Sequence, residues 1–449
     1  MIEITVVIPT HNRARVLAKH LHLFKEQSLS PENFEVIVSA DGCTDDTADI
    51  VRQLEVPYRL SLIEQMPGTG AAGARNRGAA AAKANILLFL DDDMEPTREL
   101  LRAHLEAHRS MPNGVVLGYY PMPPPEEGES HFVKFARLWW AERFAGRTKP
   151  DYRFSFYDLC TGNVSIAKHV FQNAGGFDET ISNLGAGEDY ELGYRLIRQR
   201  VPFHYASEAE SVHHSDVTLA IHMRRMREDG YGQAIMTRKH PELFWEFNVS
   251  RLSRLSDSTL LRPVWVALWK FPFLTNAPMS VVRMMARISL AMNVDSLFQR
   301  LHRVLRAHAY WQGVVAALGS VSVWERLRQD APIYPPECRE VDLDVTQDLQ
   351  CLEEFIEAHW PVDAIRVYAS GEPVGRIAPR AAFETLNASH VRSMLVNQFG
   401  SVLLAELVRQ RHSSNYDFGS PASAGKEARR SEVNNQECQS NDGELRLSQ

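Results

Sequence analysis

Two hydrophobic rhythms alternate along the first half of the chain. Short apolar runs bounded by polar turns occur at Ile4 to Ile8, Glu35 to Ser39, Tyr58 to Glu64, Ile86 to Leu90, Val115 to Tyr120 and Pro202 to Tyr205. Between them lie stretches whose apolar residues recur at helical spacing: Arg15 to Glu26, a segment capped by Thr44 or Asp45 that runs to Leu54, Gly73 to Ala84, Arg98 to Ser110 and His131 to Phe144. Runs of the first kind read as buried parallel strands, and those of the second kind as crossover helices. The alternation predicts an α/β fold with a mostly parallel central sheet, helices on both faces and right-handed crossovers.

The second half reads differently. From about Asp216 to Arg328 the pattern is helical, with many basic residues, and Leu260 to Leu274 sets Trp265, Trp269, Phe271 and Phe273 beside Arg262 and Lys270. That composition suits a membrane interface, but Pro263, Pro272 and Pro278 interrupt it, and a packed helical extension is the other reading. Pro332 to Pro336 reads as a linker, followed by a helix over Leu349 to His359, a hairpin over Ile365 to Ile377 turning near Gly371, and a helix over Ala388 to Arg411. The expected division is an α/β domain over 1–240, a helical extension over 241–330 in peripheral contact with membrane, a small α+β module over 331–412 and a polar tail over 413–449. The tail has almost no aliphatic residues and is expected to be disordered.

Candidate chemistry concentrates where a strand ends. Ile86 to Leu90 delivers Asp91, Asp92 and Asp93 to one point. Neighbouring carboxylates about 4 Å apart repel by roughly 4 kcal/mol at the effective dielectric of a protein surface, so the triplet calls for full solvation or a cation. In open α/β sheets the carboxyl ends of the strands border the ligand crevice, which favours Mg²⁺ or Mn²⁺ on hard oxygen ligands over a simple helix cap. Upstream, Gly68, Gly70 and Gly73 form GxGxxG, with Arg75 and Arg77 close behind. A dinucleotide fingerprint normally sits on the first strand of its unit, whereas two strand-helix pairs precede this one, so the segment reads as an anion-binding turn for a nucleotide diphosphate.

Further along, GAGEDYELGYRL opens a helix whose first turn holds Glu188 and Asp189. The helix dipole favours a carboxylate there, keeping it ionised and able to accept a proton; dipole complementarity alone is the alternative reading. His104 and His108 stand i, i+4, but without a glutamate next to His104 the zinc-helix pattern is absent and an exposed helical face is expected. Phe132, Phe135, Leu138, Trp139 and Trp140 read as core, with an acceptor groove as the alternative. His213 and His214 read as structural or solvated unless a metal recruits one.

Charge and composition narrow the classes. The 449 residues carry a net charge of -7 with no long basic run, which argues against nucleic acid as a partner. Five scattered cysteines with no CxxC pair suggest neither a disulfide framework nor a zinc site and fit a reducing cytoplasm. The opening MIEITVVIPTHNR has an acid where a signal peptide has basic residues, and no uncharged apolar run is long enough to span a bilayer.

Taken in order, VVIPTHNR, SADGCTDDT, GAAGARNRG, LFLDDDM, TGNVSIAK, GGFDE, GEDYELGYRL and the later histidine make residues 1 to about 240 resemble a family 2 glycosyltransferase. The resemblance implies a Rossmann-like GT-A fold and inverting transfer of a sugar from a nucleotide-sugar donor, a UDP-sugar first, to a hydroxyl of a glycan or lipid-linked acceptor. It implies that Pro9, Thr10, Asn12, Arg13 and Asp41 border the nucleoside, with Arg75 and Asn76 near the base and diphosphate. Asp91, Asp92, Gly162, Asn163 and Glu188 join them around the donor, with Asp91, Asp93 and His213 on the metal and Asp189 as catalytic base. The family usually has two acids before the glycine at Gly42, and here the first position is Ala40. An oxidoreductase built on GxGxxG and a non-catalytic nucleotide-sugar-binding protein are the competing readings. The expected location is the cytoplasm, peripheral to the inner face of the membrane.

Overall fold

The computed structural model describes residues 1–182, 187–214, 217–252, 262–335 and 337–414. The expected disorder of the tail lies outside them from residue 415 on. The chain forms two compact units, one of residues 1–336 with 380–384, the other of 337–379 with the chain from Thr385 onward.

The first unit is built on an eight-stranded sheet. Its strands are β1 Ile4–Thr10, β2 Phe34–Asp41, β3 Arg59–Gln65, β4 Ile86–Leu90, β5 Met94–Pro96, β6 Val115–Tyr119, β7 Asn163–Ala167 and β8 Phe203–His213, in the order β3-β2-β1-β4-β7-β6-β8-β5. β3, β2, β1 and β4 run parallel, as the sequence alternation predicts. β7 runs antiparallel to both β4 and β6, and the three-residue β5 pairs antiparallel with β8. Neither of those two strands carries an apolar run long enough to stand out. β7 is hidden in a glycine-punctuated stretch and β5 in the polar residues after the acid triplet.

Side-chain alternation explains why helices cover both faces. Ile4, Val6 and Ile8 of β1 point into one core with Val36, Val38, Leu88 and Leu90, where Leu17, Leu21, Val51 and Leu100 of the covering helices meet them. Val7, Ile37, Leu87 and Phe89 point the other way, against Ala72, Ala79, Phe171, Leu192 and Leu196. A Cβ on Gly78 would lie 2.4 Å from Val7, so glycine lets the helix Ala71–Ala81 sit directly on β1.

Helices Leu219–Lys239 and Asp295–Leu318 pack together at backbone distance. A Cβ on Gly230 would meet the Tyr310 carbonyl at 2.0 Å, and one on Gly313 the Arg227 carbonyl at 1.9 Å. Trp265 and Trp269, on the helix Arg262–Lys270, are only 4% and 3% exposed and belong to the larger core. Their burial corrects the reading of these two rings as membrane-interface residues, because a helix packed on the core turns its largest side chains inward. No helix among the described residues is long and apolar enough to cross a membrane.

The second unit holds β9 Glu340–Asp344, β10 Ala364–Ala369 and β11 Glu372–Ile377, with β10 parallel to β9 and antiparallel to β11. Gly371, at φ +82°, makes the hairpin turn expected there. The helices Leu352–Ala358 and Ala388–Ser414 complete the unit, and Leu352, Ile356, Val391 and Leu395 fill its core.

Candidate active site

The carboxyl ends of β1, β2 and β4 open into a cavity of about 860 Å³. Pro9, Thr10, His11 and Arg13 form one wall, Asp41 and Gly42 the next, Met66, Pro67, Gly68 and Gly70 a third, and Arg75 with Asp91, Asp92 and Asp93 the floor. Gly42 sits at φ +68°, and a Cβ there would come within 3.1 Å of the Gly68 backbone, so two loops can touch only because the residue is glycine.

The glycine-rich turn is already committed. The Asp41 carboxylate accepts the Thr69 and Gly70 amides at 2.9 and 2.7 Å, and Arg77 pairs with it as well. The anion held by this turn is therefore the protein's own carboxylate, which corrects the expectation of a phosphate cradle on its amides. Those amides are spent fastening the end of β2 to the helix that follows.

The three aspartates divide their work. Asp92 is buried, accepting the Thr10 hydroxyl at 2.7 Å and Arg13 Nη1 at 2.6 Å, and burial pushes its carboxyl up to about 6 despite that arginine. Asp93 takes the same Arg13 nitrogen at 3.0 Å and lies 3.6 Å from His213 Nε2. Asp91 accepts Arg75 Nη2 at 2.8 Å, while Arg75 Nη1 reaches Glu188 at 3.0 Å. Arg75, only 5% exposed, thus ties the end of β4 to the first turn of the helix Glu188–Arg198.

A second cavity, of about 840 Å³, lies on the other side of that tie. It shares Arg75, Asp91 and Asp93 with the first and adds Gly162, Glu188, Asp189, His213, Trp139, Trp140 and Arg143. Its far end is made by Arg225, Asp229, Arg303, Arg306 and Tyr310 from the two glycine-paired helices. Burial, reinforced by neighbouring Glu188, pushes the Asp189 carboxyl up to about 7; the Tyr190 amide donates to it at 2.8 Å. Burial lowers His213, leaving a neutral imidazole beside Asp93. A Cβ on Gly162 would lie 2.6 Å from Met94 Cε, so a larger residue at this edge of the cavity would displace the end of that methionine.

Pro9, Thr10, Arg13, Asp41, Arg75, Asp91, Asp92, Asp93, Gly162, Glu188, Asp189 and His213 thus line one or both cavities. Asn12, Asn76 and Asn163 line neither. Asn12 accepts the Thr44 amide at 2.7 Å, Asn76 clasps the Phe177 backbone at 2.9 Å in both directions, and Asn163 donates to the Ala209 carbonyl at 2.8 Å. Each pins a loop or strand beside the site. His104 and His108 are buried, not on an exposed face: His104 lies 2.8 Å from Asn163 and His108 2.9 Å from Ser165, and burial lowers them to about 3 and 4. Arg143, Asp229, Arg306 and Tyr310 enter the second cavity with no motif to mark them, and His11, inside VVIPTHNR, enters the first without having been singled out.

Among the described residues one trio of ligand side chains stands close enough together to hold a divalent ion, and a second set offers suitable donors without that closeness. Asp91, Asp93 and His213 offer two carboxylates and a neutral imidazole to one cavity, a donor set that fits Mg²⁺ or Mn²⁺. Behind the acids, ligand atoms of His20, Glu95 and His214 lie within 4.8 Å of one another. There His20 Nδ1 is 2.9 Å from the Asp92 carbonyl, and His214 pairs with Glu95 at 2.7 Å.

Over residues 5–174 the chain matches the sequence model of glycosyl transferase family 2. It is 35% identical over 271 residues to validoxylamine A glucosyltransferase of Streptomyces hygroscopicus subsp. limoneus, an alignment covering 54% of this chain and 58% of that protein. It is 29% identical over 239 residues to chondroitin synthase of Escherichia coli, covering 47% of this chain and 34% of that one. The chain thus spans well under two thirds of these relatives. Among solved structures, the mannosyltransferase PcManGT of Pyrobaculum calidifontis, in complex with GDP-Man and Mn²⁺, aligns at 17% identity with a TM-score of 0.47, covering 70% of this chain and 87% of that one.

Proposed function

We propose that this protein is an inverting, metal-dependent glycosyltransferase that moves a sugar from a nucleotide-sugar donor to an acceptor hydroxyl. One observation carries the reading: Arg75, Asp91 and Asp93 are walls of two cavities at once, and Asp189 opens into the second. The nucleoside occupies the cavity at the ends of β1 and β2, its diphosphate lies at the shared acids, and the acceptor enters between Trp139, Asp189 and Tyr310.

Asp91, Asp93 and His213 would hold Mg²⁺ or Mn²⁺. When bound, the cation offsets negative charge on the departing diphosphate as a Lewis acid. Asp189 takes the proton from the acceptor hydroxyl while that oxygen bonds to the anomeric carbon on the side opposite the nucleoside diphosphate, whose bond to the sugar breaks. A carboxyl raised to about 7 is matched to that task, because about half of it is ionised at neutral pH and that form is basic enough to accept the proton. Arg75 positions both halves, holding Asp91 with one nitrogen and Glu188 with the other.

The test is calorimetric titration with UDP, GDP and NAD, each with and without Mn²⁺, followed by a transfer assay on the sugar form of the nucleotide that binds. Binding of UDP or GDP strengthened by Mn²⁺, with turnover, is expected. NAD binding alone would favour an oxidoreductase, and metal-dependent donor binding without turnover a non-catalytic binder. Against the oxidoreductase stands the glycine turn, which follows the edge strand β3 and spends its amides on Asp41.

A further inference from the structure

The segment from Val264 to Val304 holds more than half of the large apolar side chains that the described residues expose. The helix Asn276–Ala291 shows why this is unusual. Its inward face, with Val282, Ala286 and Leu290, packs on a core cluster of Phe132, Phe298 and Leu305. Val281, Met284, Met285, Ile288 and Met292 follow at i, i+3, i+4, i+7 and i+11, a separate face, and they are 42–68% exposed. Phe273 and Leu274, just before this helix, are 63% and 54% exposed. Leaving so much apolar surface in water costs free energy that a partner recovers.

Charge identifies the partner. Between Arg262 and Leu318 the sequence has seven Lys and Arg residues and a single acid, Asp295, in a chain whose net charge is -7. Arg283 and Arg287 are exposed on the same helix as the methionines. An apolar face flanked by cations, on a protein otherwise acidic, matches the surface of an anionic bilayer, where apolar burial and headgroup attraction act together.

We propose that Phe273, Leu274 and the outward face of Asn276–Ala291 dock this protein onto an anionic lipid surface, with Lys270, Arg283 and Arg287 at the headgroups. The next helix, Asp295–Leu318, exposes Leu297 and Val304 while its Arg303, Arg306 and Tyr310 line the second cavity. One helix therefore carries both exposed apolar side chains and, on another face, a wall of the proposed acceptor site. The docking surface does not depend on the chemistry at Asp189.

Flotation of the full chain with vesicles of phosphatidylcholine, with and without phosphatidylglycerol, tests the proposal. The protein should float with the anionic vesicles and lose most of that binding in high salt. F273S/M284S/I288S should lower the partition at least tenfold, and R283Q/R287Q by about thirtyfold on anionic vesicles only. Ile333→Ser, also at an exposed apolar residue, should change nothing. Nucleotide binding and thermal melting of each variant, measured alongside, verify folding and keep this test apart from that of the reaction. Failure of the wild type to float, or flotation of the triple variant at wild-type level, would overturn the proposal. So would a dimer that the triple variant dissociates without any vesicle binding, which would assign the face to a second copy of the chain.

Discussion

The two cavities that meet at Arg75, Asp91 and Asp93 are built by different means. The one at the ends of β1, β2 and β4 takes its walls from the last residues of strands and the first residues after them, so its parts lie in short contiguous stretches: Pro9 to Arg13, Asp41 and Gly42, Met66 to Arg75, and the acid triplet. The other draws single residues from helices far apart in the chain, among them Trp139, Asp189, Asp229 and Tyr310. Topology fixes the first, because parallel strands end on one edge of the sheet. The second depends on how helices pack, and small changes there redirect it without touching the donor side.

That contrast can be broken most directly at Asp189. Replacing Asp189 by Asn should cost roughly 10²- to 10⁴-fold in transfer rate while leaving the nucleotide dissociation constant within about twofold, since the loss falls on a proton acceptor and not on the donor cavity. A variant retaining most of its rate would remove Asp189 from the role of base. On the shared wall, Asp93→Ala should weaken the Mn²⁺-dependent part of donor binding at least about tenfold, with titrations in chelator unchanged. Equal metal dependence in mutant and wild type would move the ion elsewhere.

Acidity sharpens the same comparison. Asp189 can accept a proton only when ionised, so the rate at limiting substrate should fall about tenfold per pH unit below about 7 and level off above it, while donor binding lacks this limb. A raised folded-state pKa also means that ionising Asp189 costs stability, a cost absent below the unfolded value of 3.8 and complete above about 7. Asp189→Asn should therefore melt higher than the wild type at pH 8 and show no such gain at pH 3. Helix packing is tested at Gly313, where Ala would press on the Arg227 carbonyl. Overpacking there should cost roughly 1–3 kcal/mol, seen in denaturant titration, and impair transfer more than nucleotide binding.

The same contrast explains what the sequence makes legible. The strand-helix order, the acid triplet at the end of β4 and the carboxylates at the start of Glu188–Arg198 each follow from a local pattern. What escapes is whatever depends on a distant partner. Helical spacing places His104 and His108 on one face but does not say whether that face meets water or β7, and it meets Asn163 and Ser165. Tryptophans among basic residues look interfacial until packing turns Trp265 and Trp269 inward and leaves Phe273 and the methionines outside. The glycine turn looks like a phosphate cradle until Asp41, contributed by β2, fills it. Arg143, Asp229 and Arg306 carry no local signal at all, since a charged residue on a helix is most often simply solvated.

The measurement that bears most directly on the shared wall is the anomalous scattering of Mn²⁺ in a crystal grown with the nucleotide that binds. The ion is expected among Asp91, Asp93 and His213, with the diphosphate beside it, the nucleoside against His11, Asp41 and Pro67, and Asp189 facing the sugar. A single ion at His20, Glu95 and His214, with the nucleotide away from the acids, would contradict it.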